Sequence, residues 1–123
     1  MELKLFVCKH CGNVVWKVVD KGVPVMCCGQ KMEELVPGTT DAAQEKHVPD
    51  IKRDGDKVTI TVGSVVHPML EEHSITMIAA VSGDTVTVRF PKPGDEPTLT
   101  VDSKEPVTAY EICNLHGYWK GQE

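Results

Sequence analysis

Lys57-Val58-Thr59-Ile60-Thr61-Val62 alternates without a break, with Val58, Ile60 and Val62 on one side and Thr59 and Thr61 on the other. A period of two, with a β-branched side chain at five successive positions, marks a strand that buries one face and wets the other. The pattern returns in Thr85-Val86-Thr87-Val88-Arg89-Phe90, where Val86, Val88 and Phe90 take the apolar side. Between the two, residues 75–81 are more continuously apolar, as a central strand is. Asp54-Gly55-Asp56 turns the chain ahead of the first stretch, and Ser82-Gly83-Asp84 joins the central strand to the second as a hairpin. Residues 91–97 hold three prolines and read as a loop; residues 99–101, 107–112 and 118–120 are shorter strands. Many short strands with turns at regular spacing predict an antiparallel β-sandwich or barrel of immunoglobulin-like type over residues 47–123.

The whole chain has 123 residues, room for one ordinary domain or two small ones. Phe, Trp and Tyr contribute two residues each, so the core must rest on Val, Ile, Leu and Met, which favours strands. Thirteen basic residues face eighteen acidic ones, for a net charge of −5, and no basic run tracks a phosphate backbone, which argues against nucleic acid. The first seven residues, Met1-Glu2-Leu3-Lys4-Leu5-Phe6-Val7, build no signal-peptide core, and no stretch approaches the roughly 20 apolar residues that span a bilayer. A cytoplasmic protein away from the membrane is expected. Five cysteines in a reducing compartment then read as metal ligands in preference to disulfides.

Four of the five lie in residues 1–36. Cys8-Lys9-His10-Cys11-Gly12 is a knuckle whose two thiolates face one point, with Gly12 free to take a positive φ. Cys27 and Cys28 are adjacent, so they reach one ion only across a bent backbone, which Gly29 eases. Residues 14–19 read as a strand, Asp20-Lys21-Gly22 as a turn and residues 23–26 as the return strand. A segment this short needs a staple, since below about 40 residues apolar burial alone rarely suffices. Four thiolates supply it, and zinc and iron both accept such a set. His10 reads as a solvated surface residue, because four thiolates already complete a tetrahedron.

Residues 37–46 read as a linker: Pro37-Gly38-Thr39-Thr40-Asp41 is turn chemistry, and residues 42–46 make at most one helical turn before Pro49. Glu45 and Lys46 stand immediately before His47.

The remaining cysteine, Cys113, has His116 three residues on, a spacing that lets both side chains reach one ion. His47, His67 and His73 complete a candidate set of four imidazoles and one thiolate. His67 and His73 would be about 20 Å apart in extended chain. Pro68 followed by Met69-Leu70-Glu71-Glu72 instead predicts a helical turn that draws them together. Structural zinc is usually closed with four ligands, so five suit iron, which leaves one of six positions open for a small molecule. Were the four nitrogens in a plane, the thiolate would be axial and would push electron density toward the open side, as in haem–thiolate enzymes. A reducing, cationic site of this kind suits a small oxidising anion such as superoxide.

Cys8-x-x-Cys11 with Cys27-Cys28, Glu45-Lys46-His47, His67-Pro68-Met69-x-x-x-His73, and Cys113-Asn114-x-His116-Gly117 occur in this order. In these four motifs the chain resembles superoxide reductases of the desulfoferrodoxin type. The resemblance implies a desulforedoxin-like domain whose Cys8, Cys11, Cys27 and Cys28 hold a distorted rubredoxin-like iron. It implies a second, catalytic iron bound by His47, His67, His73 and His116 in the equator, with Cys113 axial. By the same likeness, Lys46 draws in superoxide and supports protonation of peroxide, and Glu45 can take the open position once the iron is oxidised. The implied reaction is one-electron reduction of superoxide to hydrogen peroxide, with a rubredoxin-type electron donor and a homodimeric protein. Two other readings compete: a non-enzymatic electron carrier with two irons, and a zinc-stapled β-sandwich adaptor.

Overall fold

The computed structural model describes residues 1–38, 44–65 and 67–123, and the side chains of all of these except Gln44 and Glu45. They divide into two compact units, Glu2–Val36 and Pro37–Glu123, the second grouped with Met1. The chain is mostly β, with antiparallel sheets in both units.

In the first unit, β1 (Leu5–Val7) lies between β2 (Val14–Trp16) and β5 (Glu33–Glu34), with Phe6 opposite both Val15 and Glu34. β3 (Met26–Cys27) and β4 (Gln30–Lys31) form a separate hairpin. Its two turn residues, Cys28 and Gly29, have φ of 53° and 72°. Positive φ at both positions is the geometry that matches the twist of a two-residue hairpin, and Cys28 adopts it at a cost of about 1–2 kcal/mol that a glycine would avoid. The backbone is thus bent where two neighbouring cysteines have to serve one point.

The expected pairing of residues 14–19 with a return strand at 23–26 is not formed. β2 ends at Trp16 and pairs with β1, and only Met26 of the expected return is in a strand. Val18, Val19 and Val23 are 75%, 71% and 69% exposed, so no buried face drives strand formation there. Polar contacts hold the segment as a loop instead: the Lys17 ammonium donates to the Val23 carbonyl at 2.9 Å, and the Gly22 amide to the Asp20 carboxylate at 2.8 Å.

The second unit opens with one helical turn, α1 (Gln44–His47), followed by β6 (Pro49–Asp54), β7 (Lys57–Val62), β8 (Ile75–Ser82), β9 (Thr85–Arg89), β10 (Thr98–Asp102), β11 (Val107–Cys113) and β12 (Gly117–Gln122). One sheet runs β10-β7-β6 and the other β12-β11-β8-β9. First, second and fifth strands share one sheet, and fourth, third, sixth and seventh the other. This is the immunoglobulin-like order in the form that carries the fourth strand beside the third. Val58, Ile60 and Val62 are fully buried, as their alternation predicts, and pack with Ile75, Ile78, Leu99, Val107 and Ala109. Each Val, Ile or Leu among them contributes roughly 1.5–3 kcal/mol by leaving water.

β9 departs from expectation. It is an edge strand whose Thr87 stands opposite Ala80 and whose Arg89 stands opposite Ile78, both on the core side of β8. Val86 and Val88 therefore turn away from the facing sheet, and Val88 and Phe90 are 38% and 71% exposed. The Arg89 guanidinium spans the sandwich rim to the carbonyls of Glu96 and Thr98, at 3.0 and 2.6 Å, which explains why the polar side faces inward here.

Register decides where the loops go. Pro49 is opposite Val62, and Cys113 is opposite both Ile75 and Gly117. The start of β6, the end of β7, the start of β8, the end of β11 and the start of β12 consequently lie at one end of the sandwich. His47, His67, His73, Cys113 and His116 are all in or beside those five segment ends.

Candidate metal centre

In the first unit the sulfurs of Cys8, Cys11, Cys27 and Cys28 all lie within 4.8 Å of one another, and Cys11 and Cys27 are 3.6 Å apart. The knuckle is shaped by its own amides: Gly12 donates to the Cys8 carbonyl at 2.8 Å, Cys11 to the Cys8 sulfur at 3.5 Å and Asn13 to the Cys11 sulfur at 3.5 Å. These donors favour thiolate. The Cys11 amide above all pulls the Cys8 thiol down to about 6, whereas hydrogen bonding with Cys11 and Cys8 pushes Cys28 up to about 12. Cys8 ionises readily, whereas Cys27 and Cys28 resist, first of all because hydrogen bonds with Cys11 and Cys8 favour their neutral thiols. A cation among them removes that resistance, so the donor set fits a metal. His10 is exposed, as expected of a surface residue.

In the second unit the four histidine rings form a closed figure. Neighbouring ring centres are 4.8 Å (His47–His67), 4.7 Å (His67–His73), 4.9 Å (His73–His116) and 4.8 Å (His116–His47) apart, and the diagonal from His47 to His73 is 6.5 Å. A square of side 4.8 Å has a diagonal of about 6.8 Å, so the angles of the figure at His67 and His116 are close to right angles. Neighbouring rings are turned 76–81° from each other and the diagonal pair only 26°, as the blades of a paddle wheel are.

Nitrogen positions agree with a common centre. His47 Nε2 is 3.1 Å from His116 Nδ1 and 3.2 Å from His67 Nε2. Two nitrogens about 2.1 Å from one ion and at right angles to each other stand about 3.0 Å apart. His73 Nε2 is buried with no hydrogen-bond partner among the described residues, an orphan that a metal would satisfy. His67 is 1% exposed, and burial first of all lowers its pKa to about 4. It is therefore neutral, and its Nδ1–H donates to the Pro68 carbonyl at 2.6 Å, which leaves the Nε2 lone pair toward the other rings.

Cys113 is buried, with its sulfur 3.8 Å from His116 Nδ1. Burial pushes its thiol up, while the amides of Leu115 and His116 oppose that by donating to the sulfur. The donor atoms of His47, His73, Cys113 and His116 lie within 4.8 Å of one another. His67 joins them through its 3.2 Å contact with His47 and its ring contact with His73. The residues present fit a metal with imidazole and thiolate ligands, which suits the first-row transition ions.

Local structure explains the convergence. His47 ends α1, and Cys113 and His116 flank the hairpin turn between β11 and β12. The expected helical turn after Pro68 is not formed. Instead Leu70 and His73 exchange backbone hydrogen bonds, the Leu70 amide to the His73 carbonyl at 2.8 Å and the His73 amide to the Leu70 carbonyl at 3.2 Å. The Met69 carbonyl accepts from Gly94 and its sulfur from the Ile75 amide, so the backbone groups that would continue a helix are already used. A tight loop brings His73 back to His67 all the same. Lys46 is exposed on the turn that carries His47, and the side chain of Glu45 lies outside the described residues.

Three residues escaped the sequence reading of this centre. Trp119, read only as part of a strand, stacks on His47 at 5.1 Å with 24° between the planes. Asn114, noted only within a motif, pins the turn to residues 72–74. Glu111 is fully buried two residues before Cys113, with no partner for either carboxylate oxygen among the described residues, and burial raises its pKa to about 9. A lone acid in the core-facing phase of Val107, Ala109 and Cys113 is the signal that would have found it.

The desulfoferrodoxin family profile matches residues 39–122. The desulfoferrodoxin of Nitratidesulfovibrio vulgaris is 42% identical over 98% of this chain and 97% of its own length. The crystal structure of the superoxide reductase from Treponema pallidum superposes with a TM-score of 0.78 at 32% identity, covering 98% of this chain and 99% of that one. A one-iron superoxide reductase from Giardia intestinalis gives 0.57 at 32% identity, covering 64% of this chain and 97% of its own. With a matched profile over most of its length and relatives of equal extent, the chain belongs to the desulfoferrodoxin family.

Proposed function

We propose that this chain is a superoxide reductase. It adds one electron and two protons to superoxide and releases hydrogen peroxide, at a site made of His47, His67, His73, His116 and Cys113. The near-square of four imidazoles with a buried thiol beside it carries this reading. Likeness to named superoxide reductases supports it.

Iron held by that set would supply the electron by passing between its ferrous and ferric states, and five ligands would leave room for a small anion. Four neutral imidazoles and one thiolate, set against a divalent ion, leave the centre with a net positive charge that attracts superoxide. Lys46 adds a second positive charge beside His47 and supplies or relays a proton to peroxide. The chain's net charge of −5 repels an anion only weakly at this range, since screening is strong beyond about 8 Å at physiological salt. Glu45 would be able to take the open position once the iron is oxidised. Cys113 would be the thiolate ligand of such an iron and would donate electron density to it.

Residues 1–36 form a desulforedoxin-like domain in which Cys8, Cys11, Cys27 and Cys28 hold a second iron, residues 37–46 are the linker and residues 47–123 the catalytic domain. A rubredoxin-type protein supplies electrons, and the chain works as a homodimer in the cytoplasm. Among the described residues no helix is long and apolar enough to cross a membrane.

Mixing the reduced, iron-loaded protein with superoxide and counting peroxide made per superoxide consumed tests the reaction. A ratio near one marks reduction and a ratio near one half marks dismutation. No superoxide-dependent oxidation of the iron would make the chain an electron carrier instead.

A further inference from the structure

We infer that Trp119 is a positioning residue of the histidine–cysteine centre, a clamp that fixes two of its ligands from outside. The residue is 2% exposed and makes two contacts that point to different ligands. Its indole face lies against the His47 ring, with centres 5.1 Å apart and planes 24° from parallel. Its Nε1–H donates to the backbone carbonyl of His116 at 2.9 Å.

These ligands reach the centre from opposite ends of the second unit. His47 comes from α1 ahead of the first strand, and His116 from the turn before the last. Trp119 touches both, and it acts on the coordinates that matter. Stacking sets the plane of the His47 ring, which stands 77° and 81° from those of His67 and His116. The hydrogen bond sets the height of the turn that carries His116 and, three residues back, Cys113. The strand beneath is held close as well, since Gly121 lies against the Pro49 carbonyl and leaves no room for a Cβ. Outer partners that fix ligand orientation typically change metal affinity 10- to 100-fold when removed.

The inference rests on a metal occupying this centre, and not on the reaction performed there. Its test accordingly uses no superoxide. Three variants of the full chain are loaded with iron: Trp119→Phe, which keeps a stacking ring and loses the donor; Trp119→Leu, which loses both; and Tyr118→Leu, a buried aromatic next in the strand and on its other face. Iron retention against a competing chelator, the midpoint potential and the thiolate-to-iron absorption of Cys113 are measured, the last as the difference from Cys113→Ser. Denaturant unfolding is followed in parallel.

The expected result is graded: a shifted band and severalfold weaker retention in Trp119→Phe, and roughly 10- to 100-fold weaker retention in Trp119→Leu. Tyr118→Leu loses unfolding stability and keeps band, potential and retention. Two results overturn the inference: unchanged band, potential and retention in the Trp119 variants, or equal changes in Tyr118→Leu at equal loss of stability. Should Trp119→Leu fail to fold, Trp119→Phe decides alone, and an unaltered centre in it counts against the clamp.

Discussion

Asn114 and Ser74 exchange two hydrogen bonds, the Asn114 amide donating to the Ser74 carbonyl at 3.1 Å and the Ser74 amide donating to the Asn114 side-chain oxygen at 3.0 Å. The Asn114 carboxamide also donates to the Glu72 carbonyl at 3.1 Å. One side chain thus splices the Cys113–His116 turn to the segment that carries His73. Asn114→Ala removes two hydrogen bonds, each worth about 0.5–1.5 kcal/mol net, and leaves the backbone bond. We expect a loss of about 1–2 kcal/mol in the metal-loaded protein, because Asn114 is exposed and water repairs part of the damage. The loss should be smaller in metal-free protein, where the two segments are free to separate. Equal losses in both, by denaturant unfolding, would show that the splice has no bearing on the centre.

The first unit has few means of holding itself together. It buries Leu3, Leu5, Cys8 and Met32, while Val14, Trp16, Val18, Val19, Val23 and Met26 remain exposed. At 35 residues, Glu2–Val36 falls below the size at which apolar burial usually suffices. Cys11→Ser should therefore raise amide exchange across β1 and β2 by orders of magnitude, while β7, β8 and β11 keep their protection. Uniform protection in the variant would mean that the four cysteines do not staple the unit.

Glu111 is a stability defect written into the core. Its carboxyl is fully buried and meets no partner among the described residues, and a polar group in that state costs about 1–3 kcal/mol. Glu111→Met keeps the length of the side chain and drops the polar atoms, and is expected to stabilise the iron-loaded protein by a similar amount. Thermal and denaturant unfolding measure it. A destabilised variant with iron fully retained would show that the carboxyl has a partner after all.

Turn chemistry and alternation made most of this fold legible. Gly55 and Gly83 sit at positive φ in two-residue hairpins, where the sequence reading placed turns, and Val58, Ile60 and Val62 share the buried face. What failed did so for tertiary reasons. Val86 and Val88 alternate as cleanly as Val58 and Ile60, but alternation tells which residues share a face and not which way that face points. Residues 23–26 have strand composition, but only Met26 pairs, and with Lys31 of β4 in place of β2. At the candidate centre the ligand types and their order could be read from the chain. Trp119 could not, since stacking between residues 72 positions apart leaves no local mark.

The last strand is fastened by charge, which gives stability an acid limit of known sign. Glu123 accepts from both Nε and Nη2 of Arg53, the latter at 2.9 Å, and from the Val107 amide at 2.9 Å. Arg53 in turn donates to the Ser103 and Glu105 carbonyls, so one guanidinium joins the end of β6, the loop after β10 and the residue after β12. The Arg53 hydrogen bonds, and then the Val107 amide, pull the Glu123 carboxyl from 4.5 to about 2. A carboxylate held below its unfolded value stabilises the fold above that value and ceases to do so as pH falls through the folded one. The contribution is thus complete above about pH 4.5 and lost between there and about pH 2. Glu123→Gln keeps an oxygen for the Val107 amide and removes the charge. Plotted against pH, its unfolding midpoint should lie below that of the parent at neutral pH and converge with it on acidification. Two parallel curves across that window would show that the pair carries no pH-dependent stability.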